Sequence, residues 1–164
     1  MIRTITLWQP WATFIAEGYK TIETRTHNHF YMLEGERIAI HGGKKYDPDA
    51  FEYFDHPAFI EKYKSWGLNK DDMRKMFRKT NINFGVIVCT AMVQKHRRLT
   101  PEDSLESCIE IRHGDVRYGL ELTDVQKVDP EIEVRGGQGV WHFEGSLNFK
   151  GSMNHHERNQ LCLF

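Results

Sequence analysis

Between residues 5 and 143, β-branched and aromatic residues gather in short runs separated by glycine, proline, asparagine and aspartate. This cadence constrains the fold more than any other feature, because runs of that length and composition suit half-buried strands rather than packed helices. Strands are predicted at residues 5–7, 21–26, 37–41, 84–93, 109–112, 116–123 and 139–143, with His113-Gly114-Asp115 as a tight turn between two of them. Two stretches break the pattern. After Pro10, which suits a first helical turn, Trp11, Phe14 and Ile15 recur at helical spacing, and Gly18 can end the helix in a left-handed conformation. Residues 46–80 then read as a helical insertion: Pro48 and Pro57 can each open a short helix, and Asn69 can cap one over residues 70–79. The expected fold class is α+β, a small mixed β-barrel with flanking helices and a helical insertion, in one domain spanning residues 1–164.

A chain of 164 residues buries a core without disulfides or a structural metal. Its 22 basic and 23 acidic side chains nearly cancel, so net charge points to no partner, and a nucleic acid would have to use a local basic patch. Cys89, Cys108 and Cys162 are odd in number and widely spaced, which predicts reduced thiols, with Cys89 a small core residue in an apolar strand. The nine histidines, including His27, His29, His155 and His156, form no HExxH or Cys/His pattern, so neither metal nor cofactor is expected. No nucleophile-elbow sequence supports a Ser-His-Asp triad. Residues 1–7 lack a secretory pattern and no run approaches the roughly 20 apolar residues of a membrane span, so the expectation is a cytoplasmic protein without a membrane partner.

Along an extended strand, Thr21, Glu23 and Arg25 share one face and Ile22 and Thr24 the other. A Glu23 carboxylate between Lys20 and Arg25 would fix both cations, giving a polar cluster able to grip a phosphate or a base edge; the same residues also fit a charge pair on an exposed edge strand. Gln9, beside the helix start, either hydrogen-bonds a ligand or caps the helix. Trp8 is the stacking candidate, whereas Trp11 lies on the apolar helix stripe and is predicted to be core. Basic residues cluster at Lys70, Arg74, Lys75, Arg78 and Lys79, and again at Lys95-His96-Arg97-Arg98. Arg74, Lys75, Arg78, Lys95, Arg97 and Arg98 are candidates for phosphate contact, the alternative being solvated charged faces.

The segment Leu7-Trp8-Gln9-Pro10-Trp11-Ala12, followed by Gly18-Tyr19-Lys20-Thr21-Ile22-Glu23-Thr24-Arg25, resembles the opening signature of the ASCH family. Arg37-Ile38-Ala39-Ile40-His41, Gly85-Val86-Ile87-Val88, Tyr118-Gly119-Leu120 and Gly137-Gln138-Gly139-Val140-Trp141 resemble its later blocks in the same order. The resemblance implies a PUA-like barrel with a cleft beside the first helix and the strand after it. It also implies a ligand among single-stranded RNA and modified nucleobases or nucleosides, with DNA a further possibility. Members similar in the Lys-containing motif are described as ribonucleases or as amidohydrolases of N4-acylated cytidine. In the short amidohydrolases that motif reads Lys-Thr-Ile-Thr-Ile-Arg, with its Lys and second Thr held to be catalytic. Lys20 matches that Lys, and Glu23 stands in place of the Thr.

Two functions follow. One is a binding module in which Trp8 stacks on a base while Gln9, Lys20, Glu23 and Arg25 hold it. The other is a hydrolase, a ribonuclease or an amidohydrolase, with Lys20 and Glu23 as the catalytic pair.

Overall fold

The computed structural model describes residues 1–150. Its six strands are β1 (Ile2–Gln9), β2 (Ile22–Arg25), β3 (Arg37–Tyr46), β4 (Val86–Arg98), β5 (Tyr118–Glu133) and β6 (Val140–Phe143). They form one sheet in the order β2-β5-β4-β3-β1-β6. Only β1 and β3 run parallel, as expected where a helix and a further strand intervene in sequence. Four helices accompany the sheet: α1 (Trp11–Ala16), α2 (Pro57–Ser65), α3 (Lys70–Met76) and α4 (Ser104–Ser107), with a 3-10 stretch at Pro48–Asp55.

The α+β class and the helical character of residues 48–76 match the sequence reading. The barrel differs. Strands β2 and β6 stand at opposite ends of the order, so the sheet is open. The β4–β5 ribbon carries three register irregularities, which increase local twist, yet the four-residue edge strands do not pair with each other. Residues 109–112 are not a strand. Their backbone is held instead by α4: Ile109 N–H donates to the Ser104 carbonyl and Ile111 N–H to Ser104 Oγ. Strands β4 and β5 both run longer than the apolar runs that announced them, because their charged ends remain in the ladder.

Helix α1 is only six residues long, yet it packs two ways. Ala12, Ile15 and Ala16 lie in the core beneath the sheet with Ile5, Ile38, Ile40 and Leu120. Phe14 turns the other way, joining Tyr19, Phe54, Phe59, Tyr63, Met73 and Phe77. The Phe14 ring stacks on Phe54 at 5.5 Å and meets Phe77 edge-on at 4.4 Å, so the helical layer is anchored on α1 by aromatic contacts. Helix α3 begins as predicted: Asn69 Oδ1 accepts the N–H groups of Asp71 and Asp72, and Asp72 reciprocates. It ends at Met76, three residues short of the predicted stop, where Phe77 turns into the aromatic core.

Candidate nucleobase cleft

Gly18 closes α1 with φ +79, and the N–H groups of Tyr19 and Lys20 both return to the Phe14 carbonyl, at 2.9 and 3.1 Å. Tyr19 is thereby driven into the aromatic core while Lys20 is folded back beneath the helix. Lys20 is 2% exposed, its Nζ donating to the Ser107 carbonyl at 2.5 Å and lying 3.7 Å from Glu23 Oε2. Ser107 ends α4, and the next residue, Cys108, is left-handed (φ 55) with its thiol donating to the Tyr19 carbonyl. The two chain turns therefore clamp each other around the ammonium group. Burial pulls the Lys20 pKa below the ordinary lysine value, outweighing the raising influence of Glu23.

The other oxygen of Glu23 forms an ion pair with Arg25 Nη2 at 3.4 Å, without hydrogen-bond geometry. The Arg25 guanidinium carbon lies 4.8 Å from the Phe30 ring centroid, and its Nε and Nη2 have no hydrogen-bond partner among the described residues. A buried donor left unpaired costs about 1 to 3 kcal/mol, so this guanidinium gains by turning toward an acceptor.

These residues floor a cavity of about 350 Å³ beside α1 and β2. Trp8 and Trp11 line it, together with Thr24, Asp47, Ile109 and Arg117. Trp8 is 51% exposed, with Lys45 Nζ 4.9 Å from its ring centroid. Trp11 donates Nε1–H to Asp47 Oδ2 at 3.0 Å and has Lys20 Nζ 5.3 Å from its centroid. The cavity thus combines indole rings with a floor of two cations around one carboxylate, a combination suited to a flat heterocycle with polar edges.

Of the sequence candidates, Trp8, Lys20, Glu23 and Arg25 come together here. Gln9 does not. It is fully buried: Oε1 accepts from Thr13 N–H and Oγ1–H, and Nε2 donates to the Asn83 carbonyl, so its capacity is spent on fixing α1. Thr21 also leaves the cleft, its hydroxyl bonding Glu106. Thr24, assigned to the opposite face, lines the cavity, and Trp11 is wall as much as core. Asp47, Ile109 and Arg117 carried no local signal, because only the packing of distant segments brings them to the cleft.

The basic clusters separate. Arg97 is engaged within the protein: its guanidinium grips Asp103 through both Nη atoms, at 2.8 and 2.6 Å, and Glu121 through Nε, at 2.5 Å. Lys95 and Arg98 are exposed, and Arg98 sits opposite Tyr118, itself opposite Arg25. On α3, Arg74 lies 3.7 Å from Asp55 and Lys75 lines a different cavity, with Thr13, Glu17 and Lys127, while Arg78, just past the helix, is exposed.

A second buried polar cluster adjoins the cleft through Thr6. Trp141 Nε1–H donates to Thr6 Oγ1, the Thr6 hydroxyl meets His41 Nδ1 at 3.2 Å, and His41 Nε2 meets the Val134 carbonyl at 3.0 Å. A carbonyl only accepts, so Nε2 carries the proton and Nδ1 accepts from Thr6. Burial lowers the His41 pKa, consistent with this neutral tautomer. Gly136 packs against the pair, where a Cβ would fall 2.5 Å from the imidazole. Burial raises both described thiols, Cys108 to about 11 and Cys89 further, which suits core residues rather than nucleophiles. His155, His156 and Cys162 lie outside the described residues. No helix among the described residues is long and apolar enough to cross a membrane.

Fold and cleft together define an α+β protein with an open six-stranded sheet and an aromatic-walled, cation-floored cavity lined by β1, β2 and the start of α1. Among solved structures, the chain is similar to ASCH from Zymomonas mobilis, at 13% identity and a TM-score of 0.49, covering 98% of this chain and 94% of that one. Two point mutants of the Zymomonas protein match at 13% identity and TM-scores of 0.46, covering 98% of this chain and 94% and 96% of theirs. These bear the family name that the opening motif resembles. No family model matches the chain, and no curated protein does.

Proposed function

We propose that the cleft binds a nucleobase, in single-stranded RNA or as a modified nucleoside, within a PUA-like ASCH domain. One observation carries this reading: Trp8 and Trp11 line the same cavity of about 350 Å³ as the Lys20, Glu23 and Arg25 cluster. The indoles supply stacking and the charged floor reads the base edge, the division of labour typical of unpaired-base recognition. Titrating the protein with the four nucleosides and with N4-acetylcytidine, while following tryptophan fluorescence, tests it. Saturable quenching by at least one nucleoside, lost in Lys20→Met and weakened in Trp8→Ala, is the expected result; no response to any nucleoside or to short RNA overturns it.

A second reading is favoured by the lowered pKa of Lys20. A lysine nearer neutrality than usual can accept a proton from water or from a 2′-hydroxyl, and Arg25 can stabilise the oxyanion that forms. This makes the cleft a hydrolase site, for an N4-acylated cytidine or for an RNA phosphodiester. Mass spectrometry of N4-acetylcytidine and labelled RNA after incubation separates the two readings, since a binding module returns both unchanged.

A further inference from the structure

The cleft opens onto a row of side chains that its own lining does not explain. Arg25 pairs in register with Tyr118 on β5, and Tyr118 with Arg98 on β4, so the three stand side by side on one face of the sheet. Two residues along each strand, the same face carries Glu23, the core residue Leu120 and His96. The row is therefore where the cleft side of the sheet emerges from beneath its core. The His96 ring lies parallel to Tyr118, within 2° and with centroids 5.9 Å apart, an offset arrangement that a further flat ring can extend. His96 Nε2 has no hydrogen-bond partner among the described residues.

Charge on this surface is unbalanced in one direction. Glu23 is held by Lys20 and Arg25 and Glu34 accepts the backbone N–H of His96, while Glu121 and Asp103 are held by Arg97, whose strand position faces the other side of the sheet. Among the described residues, no ion pair involves Arg98 or the cleft-lining Arg117. Parallel aromatic rings flanked by unpaired cations, continuous with a base-sized cavity, match one chemistry: the next nucleotide of a single strand, its base on the rings and its phosphate between guanidinium groups.

We infer that Tyr118 and His96 form a second nucleotide subsite, with Arg25 and Arg98 holding the phosphate that joins it to the nucleotide in the cleft. This rests on the reading of the cleft as a base site and assigns the direction in which the strand leaves it: across β5 toward β4, and not toward α3.

The test compares the four nucleoside monophosphates with the hexaribonucleotides rA6, rC6, rG6 and rU6. For at least one base the hexamer should bind about tenfold or more tightly than its monophosphate, the gain expected from one added stacked base. Tyr118→Ala should remove about that gain while leaving monophosphate affinity unchanged. Arg98→Ala should reduce the slope of log hexamer affinity against log salt by about 0.7, the value for one lost single-strand phosphate contact. Arg78→Ala, just past α3, should change neither quantity. Arg98 is exposed, so its variant keeps the test decisive if Tyr118→Ala does not fold. If monophosphate binds but neither variant alters hexamer affinity or its salt slope, the subsite is wrong and the cleft reading stands. If no monophosphate and no hexamer binds, both fall.

Discussion

Two polar clusters share Thr6 as a neighbour and differ in one respect. In the His41 cluster every hydrogen-bonding group has a partner: indole to hydroxyl, hydroxyl to imidazole, imidazole to carbonyl. In the Lys20 cluster the ion pairs are longer, at 3.7 and 3.4 Å, and two nitrogens of Arg25 lack a hydrogen-bond partner among the described residues. Saturated networks fix one arrangement of a core, whereas partly satisfied ones hold free energy that an incoming ligand can release. The first cluster serves the fold, and the second is kept at the fold's expense.

The sharpest way to break that contrast is to empty the saturated cluster. His41→Ala takes the imidazole partner from the Thr6 O–H and from the Val134 carbonyl and leaves a new hollow, which should cost about 3 kcal/mol in urea unfolding. Nucleoside affinity of the folded fraction should not change, and a parallel loss of affinity would merge the two clusters into one unit. Lys20→Met should do the reverse, lowering affinity by roughly 1.5 to 3 kcal/mol, the usual range for a hydrogen bond to a charged group. Its stability should not fall. The folded-state pKa of Lys20 is lowered from 10.5, so its contribution to stability is complete only above that value and is lost as pH falls through the folded pKa. At neutral pH, below the ordinary lysine pKa, burying Lys20 therefore burdens the fold, and Glu23 retains Arg25 when Lys20 is removed. A melting point several degrees below wild type would instead make Lys20 a structural residue.

Smaller effects sharpen the comparison. Trp8→Ala should weaken nucleoside binding by about 1 to 2 kcal/mol. Because half of this indole is already exposed, thermal stability should stay within about 0.5 kcal/mol. The smallest effect is a pH dependence. His41 is lowered from 6.5, so its stabilising contribution is present above that pH and lost as pH falls through the folded value. The stability difference between wild type and His41→Gln, measured by denaturation from pH 7.5 to pH 5, should shrink toward acid. A constant difference would mean that His41 does not titrate with folding.

The cleft was legible where its residues are close in sequence. Gly18, Lys20, Glu23 and Arg25 sit in one short turn and strand whose alternation sends two charged side chains into one cavity. It was illegible where tertiary packing decides. Gln9 has a ligand-like side chain, but Asn83, 74 residues away, and Thr13 use it up. Arg97 looked free because its partners, Asp103 and Glu121, are brought to it by a loop and by the neighbouring strand. Trp11 was assigned to the core on helical periodicity alone, and a six-residue helix buried on two sides has room for a side chain that is both core and wall. Strand composition announced the sheet, but sheet closure depends on which edges meet, and no local pattern encodes that.

That short helix has a last consequence. Its Phe14 and the adjoining Tyr19 are the shared pegs on which the aromatic layer of residues 54–77 hangs, while its alanines and Ile15 are pinned beneath the sheet. The layer therefore has no seam along which to detach, and residues 46–80 cannot be trimmed away as an ornament. Amide hydrogen exchange should show α1, α2 and α3 opening together as one cooperative unit. The turn that seats Lys20 belongs to that unit, so any loosening of the outer helices is felt at the floor of the cleft.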